Sequence, residues 1–441
     1  MRRIVILAAA LAVTGVGSLA PIAAPRTTAA TPSAQVVLDW NLNAVTAVHS
    51  STPTKFQTEG LVYMSYVQAA VYDAVTAIAG RYQPYHVFPV DTAGASVEAA
   101  VASAAYNTLV DYLGDPGGVL ATEYGNSLAA ISQPGKAKGV AVGKAAADDI
   151  VALRSHDGRN APVATPYGTG PLVPGRWVFA PAPSAQSAQT PWVAFMQPFL
   201  LDSASQFRPG PPPSLSSAQW ATEFNEVKAY GAANSAVRTP EQTAIAEFWN
   251  ANVINADNQA MRDLATSHDL DLVDTARLLA MGDLVGTDAL IACFDSKYTY
   301  TFWRPVTAIQ NGTIDGNPET TADPTWAPLL TTPNHPEYPA AHGCATAAVA
   351  HVFAAVLGSQ KINIDIPGAT GGGSTITTSR HYATVADLER EIVNARVWAG
   401  LHYRDSAEAG VDLGRRVAHW ALHRYFQPLH ADHAGDGLRD E

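Results

Sequence analysis

Only two cysteines, Cys293 and Cys344, occur in a chain of 441 residues. That is too few for a disulfide framework, and their spacing is wrong for a zinc site. They leave open either one bridge or two buried thiols, which are ordinary core residues. Charge is also sparse: 15% of residues are charged, with 27 Lys and Arg against 39 Asp and Glu. The formal net charge of −12 argues against nucleic acid or an anionic membrane as a partner, because both need a broad basic face. Beyond the N-terminal region no stretch approaches eighteen uninterrupted apolar residues, so the sequence predicts no membrane span in the mature chain. Strand alternation is scarce. Gly371-Gly372-Gly373 has no Lys-Ser/Thr behind it and is read as an isolated loop, not a P-loop.

What the chain has in quantity is apolar residues, 47% of the total, and helical periodicity. The first thirty residues read as an export signal: Met1-Arg2-Arg3, an apolar run from Ile4 to Val13, then small residues toward Ala24 or Ala30. An exported protein is expected. The length accommodates two subdomains, divided here as residues 31–216 and 217–441. Alanine-rich stretches from Gly60 to Ala79, Ser96 to Leu113 and Lys136 to Leu153 place apolar residues three and four apart, which predicts packed helices. Residues 158–218 are rich in Pro, Ser and Gly. Trp177, Trp192, Phe195 and Phe199 recur there, which predicts an ordered excursion.

In the second half, Thr239-Pro240-Glu241-Gln242 offers a capping box with proline at the first helical position, opening a helix toward Asn255. An apolar pattern from Asp271 to Phe294 delivers Lys297 at or just beyond a helix end. Pro305 biases Arg304 away from helical angles, so Arg304 is expected where the chain leaves the helix. His342 precedes the helix-forming run Ala345 to Leu357, which places it at a helix N-terminus, where free N–H groups favour an anion. Two further helices are expected, from Ala383 to Ala399 and from Ser406 to Tyr425. The fold class predicted is all-α, with an N-terminal helical half packed on a C-terminal catalytic bundle.

The candidate site residues are Lys297, Arg304, His342, Arg396 and His402. A tetrahedral oxyanion carries charge on several oxygens at once and needs several fixed donors, which guanidinium forks and an ammonium supply. Each residue alone has an ordinary reading as a solvated charge or a satisfied polar group; their joint spacing is the signal. That spacing resembles the vanadium-dependent haloperoxidases and the type 2 phosphatidic acid phosphatases that share their fold. The family motifs are Lys-x6-Arg-Pro, Pro-Ser-Gly-His and Ser-Arg-x5-His. Here the chain reads Lys297 to Arg304-Pro305, Pro339-Ala340-Ala341-His342, and Ala395-Arg396 with His402 after five residues.

The resemblance implies that Lys297, Arg304, Arg396 and the Ala341 N–H hold the oxyanion's equatorial oxygens. It makes His402 the protein's bond to vanadium and His342 the acid/base. The implied cofactor is vanadate, with phosphate able to take the same site, and the implied reactants are hydrogen peroxide, a halide and an organic acceptor. His335, seven residues before His342, resembles the histidine of bromide-oxidising members. Trp303 is a candidate for the halide side or, more simply, a structural tryptophan. Asp405 is a candidate partner for an imidazole or an arginine, although the family more often has the acid four residues after the histidine. Ala340 removes the family serine's hydroxyl donor. The same pocket admits a phosphatase with a phosphohistidine intermediate, in which His402 attacks phosphorus. A third reading is an inactive oxyanion-binding homologue.

Overall fold

The computed structural model describes residues 32–131, 134–164, 167–179, 187–371 and 375–429. The expected export signal lies outside the described residues. Helices α1 (Gln35–Ser50), α2 (Gln57–Ala79), α3 (Val97–Leu113), α4 (Val119–Ala130) and α5 (Lys136–Leu153) come first, and the Pro-rich excursion follows. Then come α6 (Ala218–Tyr230), α7 (Pro240–Phe248), α8 (Val253–Ser267), α9 (Leu272–Tyr300) and α10 (Pro305–Gln310). The order ends with α11 (Ala341–Leu357), a hairpin of β1 (Lys361–Gly368) and β2 (Thr378–Thr384), α12 (Val385–Trp398) and α13 (Arg404–Leu422). The protein is therefore all-α apart from one antiparallel hairpin among the described residues.

The central element is α9, a 29-residue helix buried along nearly all its length, as an axis surrounded by other helices must be. It packs against α2, α8, α11 and α13. α2 is long and apolar enough to cross a membrane, but 89% of that apolar window is buried inside the protein, which makes it a core helix. Backbones of α11 and α13 approach closely because Gly343, Gly410 and Gly414 line the contact. A Cβ on Gly414 would sit 2.2 Å from the Cys344 carbonyl oxygen, and one on Gly410 would sit 2.5 Å from that of Ala340. The excursion is anchored by Trp177, Trp192 and Phe199, all buried, while Phe195 is exposed.

Several boundaries differ from the sequence reading. The capping box at Thr239 and Gln242 forms, yet α7 stops at Phe248 and a new helix starts at Val253, capped by the Asn252 side chain. Lys297 lies within the last turn of α9, which runs to Tyr300. Arg304 has extended angles and caps α10, as Pro305 requires. Ile362, Ile364 and Ile366 alternate with exposed residues in β1, a short period-two signal.

Cys293 and Cys344 are both buried free thiols.

Candidate active site

Four segments meet at one cavity of about 190 Å³, whose lining includes His335, Ala341, His342, Arg396 and His402. The last turn of α9 carries Lys297 against the stretch that follows His335, and the N-cap of α10 sets Arg304 against His335 and His402. The extended Pro336–Pro339 stretch delivers His342 to the first turn of α11. A tight reversal after α12 returns His402 toward Arg304. That reversal requires glycine: Gly400 has φ +76°, and a Cβ there would meet the Gly231 carbonyl oxygen at 2.4 Å, so an L side chain is both strained and blocked. Apolar walls come from Val253, Leu290 and Ala345, with Phe56, Gln57 and Thr58 from the start of α2 at the rim.

The cations do not all play equivalent parts. Lys297 is fully buried, and its ammonium donates to the carbonyl oxygens of Pro336 at 3.0 Å, Glu337 at 2.9 Å and Pro339. All three donors are engaged by backbone, so Lys297 braces the 336–339 stretch. Arg304 donates from Nε to the His335 carbonyl at 3.0 Å and from Nη1 to the Leu401 carbonyl at 2.9 Å. Its Nη1 is also 3.1 Å from His402 Nε2, and its Nη2 is 3.0 Å from His335 Nδ1. Arg396 is the freest of the three. It donates Nη1 to the Trp249 carbonyl at 3.1 Å, while its buried Nε meets no acceptor among the described residues.

Glu337 was not a candidate from sequence. It is fully buried, its Oε1 lies 2.8 Å from His402 Nδ1 and accepts the Tyr403 N–H at 3.1 Å. The partner expected at Asp405 is therefore elsewhere: Asp405 accepts from Gln219 Nε2 at 3.2 Å and, among the described residues, forms no ion pair with an arginine and no hydrogen bond with His402. Trp303 is likewise displaced from the halide side. It is buried in a separate apolar cluster, stacked on Trp220 with ring centroids 6.0 Å apart, and does not line the cavity. His335 does line it, with its ring 5.3 Å from that of Phe294. Ala340 packs its methyl with Val393 and Ala407, and its N–H donates to the Ser406 carbonyl at 2.9 Å.

The donor set fits an oxyanion. Three cations are buried together and Glu337 is the one carboxylate among them in the described residues, a positive excess that a low-dielectric site tolerates poorly. The Arg396 Nε and His342 Nε2 are buried without partners. The N–H groups of Ala341, His342 and Gly343, at the start of α11, have no acceptor among the described residues, and such groups are ready donors to an anion.

Burial lowers Lys297 to about 8, Arg396 to about 9 and Arg304 to about 10; repulsion by Arg304 adds to the effect on Lys297 and Arg396, while Glu337 pulls Arg304 the other way. His342 and His402 are held well below their ordinary value, first by burial and then by these cations. Glu337 is pushed up to about 7 by burial, against the pull of Arg304 and Lys297. For Lys297 the unfolded chain binds more protons than the folded one between about pH 8 and its ordinary value, so stability rises with pH through that window. Below it, the cost of burying the charge is fully present. An anion among these cations reverses the repulsion and takes up protons where they are partly neutral. Sulfate, whose charge is constant over the range, is expected to raise the melting temperature most near pH 7 and progressively less from pH 8 to 9.5. A sulfate shift that grows with pH contradicts this electrostatic picture.

Residues 277–431 match the family profile described as the VCPO second helical-bundle domain, and they contain every motif residue above. That segment of the chain, residues 277–431, is similar to the helical-bundle domain of the vanadium chloroperoxidases. The chain is 26% identical over 275 residues to vanadium chloroperoxidase of Curvularia inaequalis, covering 48% of this chain and 44% of that protein. It thus spans less than half the length of that curated relative. A bacterial vanadium-dependent iodoperoxidase structure superposes with a TM-score of 0.71 at 23% identity, covering 89% of this chain and 96% of the other. The holo form of a bacterial vanadium-dependent chloroperoxidase gives 0.64 at 20% identity, covering 83% and 91%. Those two likenesses establish the helical fold.

Proposed function

We propose that the protein is a vanadium-dependent haloperoxidase-like enzyme, exported from the cell, that oxidises a halide, bromide by preference, with hydrogen peroxide. The observation carrying the reading is the buried surplus of donors around His402 and His342. In this reading vanadate would be held by His402 Nε2, by Arg396 and Arg304, and by the N–H groups opening α11, with Lys297 acting through the loop it braces. Bound there, vanadate supplies a Lewis-acidic centre that activates peroxide toward halide without changing oxidation state.

The chain's own groups have separable tasks. His342 is neutral because burial and the neighbouring cations hold its pKa down, so its partnerless Nε2 accepts a proton from peroxide. The depressed pKa makes it a weak base, and an anion beside Arg396 raises it toward the useful range. Arg396 directs its free Nε–H at charge developing on the oxyanion. His335 lines the cavity beside Arg304, and its resemblance to the histidine of bromide-oxidising members is the basis for favouring bromide.

Purified protein is expected to oxidise bromide with peroxide only after vanadate is added, with little phosphate-ester hydrolysis. Iodide and chloride assayed alongside rank the halides. Ester hydrolysis without vanadate, blocked by added vanadate, would instead establish the phosphatase chemistry, and no turnover in either assay would establish an inactive homologue.

A further inference from the structure

We propose that Glu337 is a positioning residue that locks His402 in the Nδ1–H tautomer and so keeps Nε2 as a lone-pair donor toward the cavity. Two independent contacts agree on this assignment. Glu337 Oε1 accepts the Tyr403 N–H, so any proton on this carboxyl sits on Oε2, and Oε1 stands 2.8 Å from Nδ1, so Nδ1 carries the proton. A guanidinium only donates, and Arg304 Nη1 stands 3.1 Å from Nε2, so Nε2 carries the lone pair. The imidazole is held from both sides in one state.

Glu337 is itself immobilised. Its N–H donates to the Phe302 carbonyl at 2.9 Å, its carbonyl accepts from Lys297 at 2.9 Å, and its Oε1 also takes the Tyr403 N–H. The position four residues after His402, where the family more often has an acid, is Ser406. Its hydroxyl is 3.5 Å from Nδ1, too long for a firm bond. The orienting carboxylate thus reaches the imidazole from the stretch before α11, not from α13. Its consequence for oxyanion affinity rests on the reading of the pocket above; the tautomer does not.

The test combines ¹⁵N spectra of the His402 ring with vanadate binding by equilibrium dialysis, on wild type, Glu337→Met and Glu337→Met/Ser406→Asp. Wild type is expected to show protonated Nδ1 and bare Nε2. Glu337→Met is expected to lose the single tautomer and to bind vanadate about 10–100-fold more weakly, as loss of an orienting partner does at other sites. Ser406→Asp in that background is expected to restore both by offering a carboxylate from α13. An Nε2–H tautomer in wild type overturns the proposal whether or not the variants fold. So does a Glu337→Met protein with unchanged tautomer, or a folded double variant that regains neither property. Wild type that binds no vanadate overturns the pocket reading instead, and the spectrum then decides the tautomer alone.

Discussion

Replacing His402 with alanine is expected to reduce vanadate affinity by more than about 100-fold, beyond the 10–100-fold typical of changes to orienting partners. Vanadate-dependent bromide oxidation should disappear with it. The side chain lines the cavity with one imidazole nitrogen facing a guanidinium donor and the other held by Glu337. Its loss also leaves one Arg304 N–H without its acceptor and Glu337 Oε1 with only the Tyr403 N–H, so circular dichroism must first show that the variant folds. Equilibrium dialysis against vanadate, beside a bromide oxidation assay, reads the effect. A folded His402→Ala protein with unchanged affinity refutes the assigned role.

Lys297→Met is expected to lower stability by about 2–4 kcal/mol even with no anion added, because several hydrogen bonds from one charged donor are lost and their acceptors stay buried. The motif reading alone makes Lys297 an oxyanion donor, whose removal would leave stability unchanged or improved and would affect only ligand binding. The observed contacts to Pro336, Glu337 and Pro339 make it a brace for the stretch that carries Glu337 and leads to His342. Urea unfolding of wild type and variant separates the two roles. A variant as stable as wild type that has merely lost affinity would return Lys297 to the pocket.

How far the sequence revealed this site depended on whether the signal was local. Arg304, Arg396, His342 and His402 were legible because fixed spacings carry them to helix ends, and helix ends are governed by nearby prolines, glycines and caps. The all-α class was legible from alanine-rich periodicity. Glu337 was not, because its pairing with His402 spans 65 residues and a lone glutamate beside prolines has no pattern that distinguishes it from a solvated one. Asp405 drew attention by proximity in sequence, but as the second residue of α13 it bonds Gln219 and not the imidazole. Lys297 was found, yet its use of every donor on backbone oxygens depends on a stretch 39 to 42 residues away. Ile362, Ile364 and Ile366 did carry a strand signal, one too short to stand out beside the helices.

The account turns on a tetrahedral anion being held at His402 by the donors left free around it. The most direct measurement is a crystal structure of the protein soaked with vanadate. It should show vanadium bonded to His402 Nε2, its oxygens facing Arg396, Arg304 and the N–H groups of Ala341, His342 and Gly343. Vanadate bound away from His402, or a cavity that stays free of it at saturating concentration, would contradict the assignment.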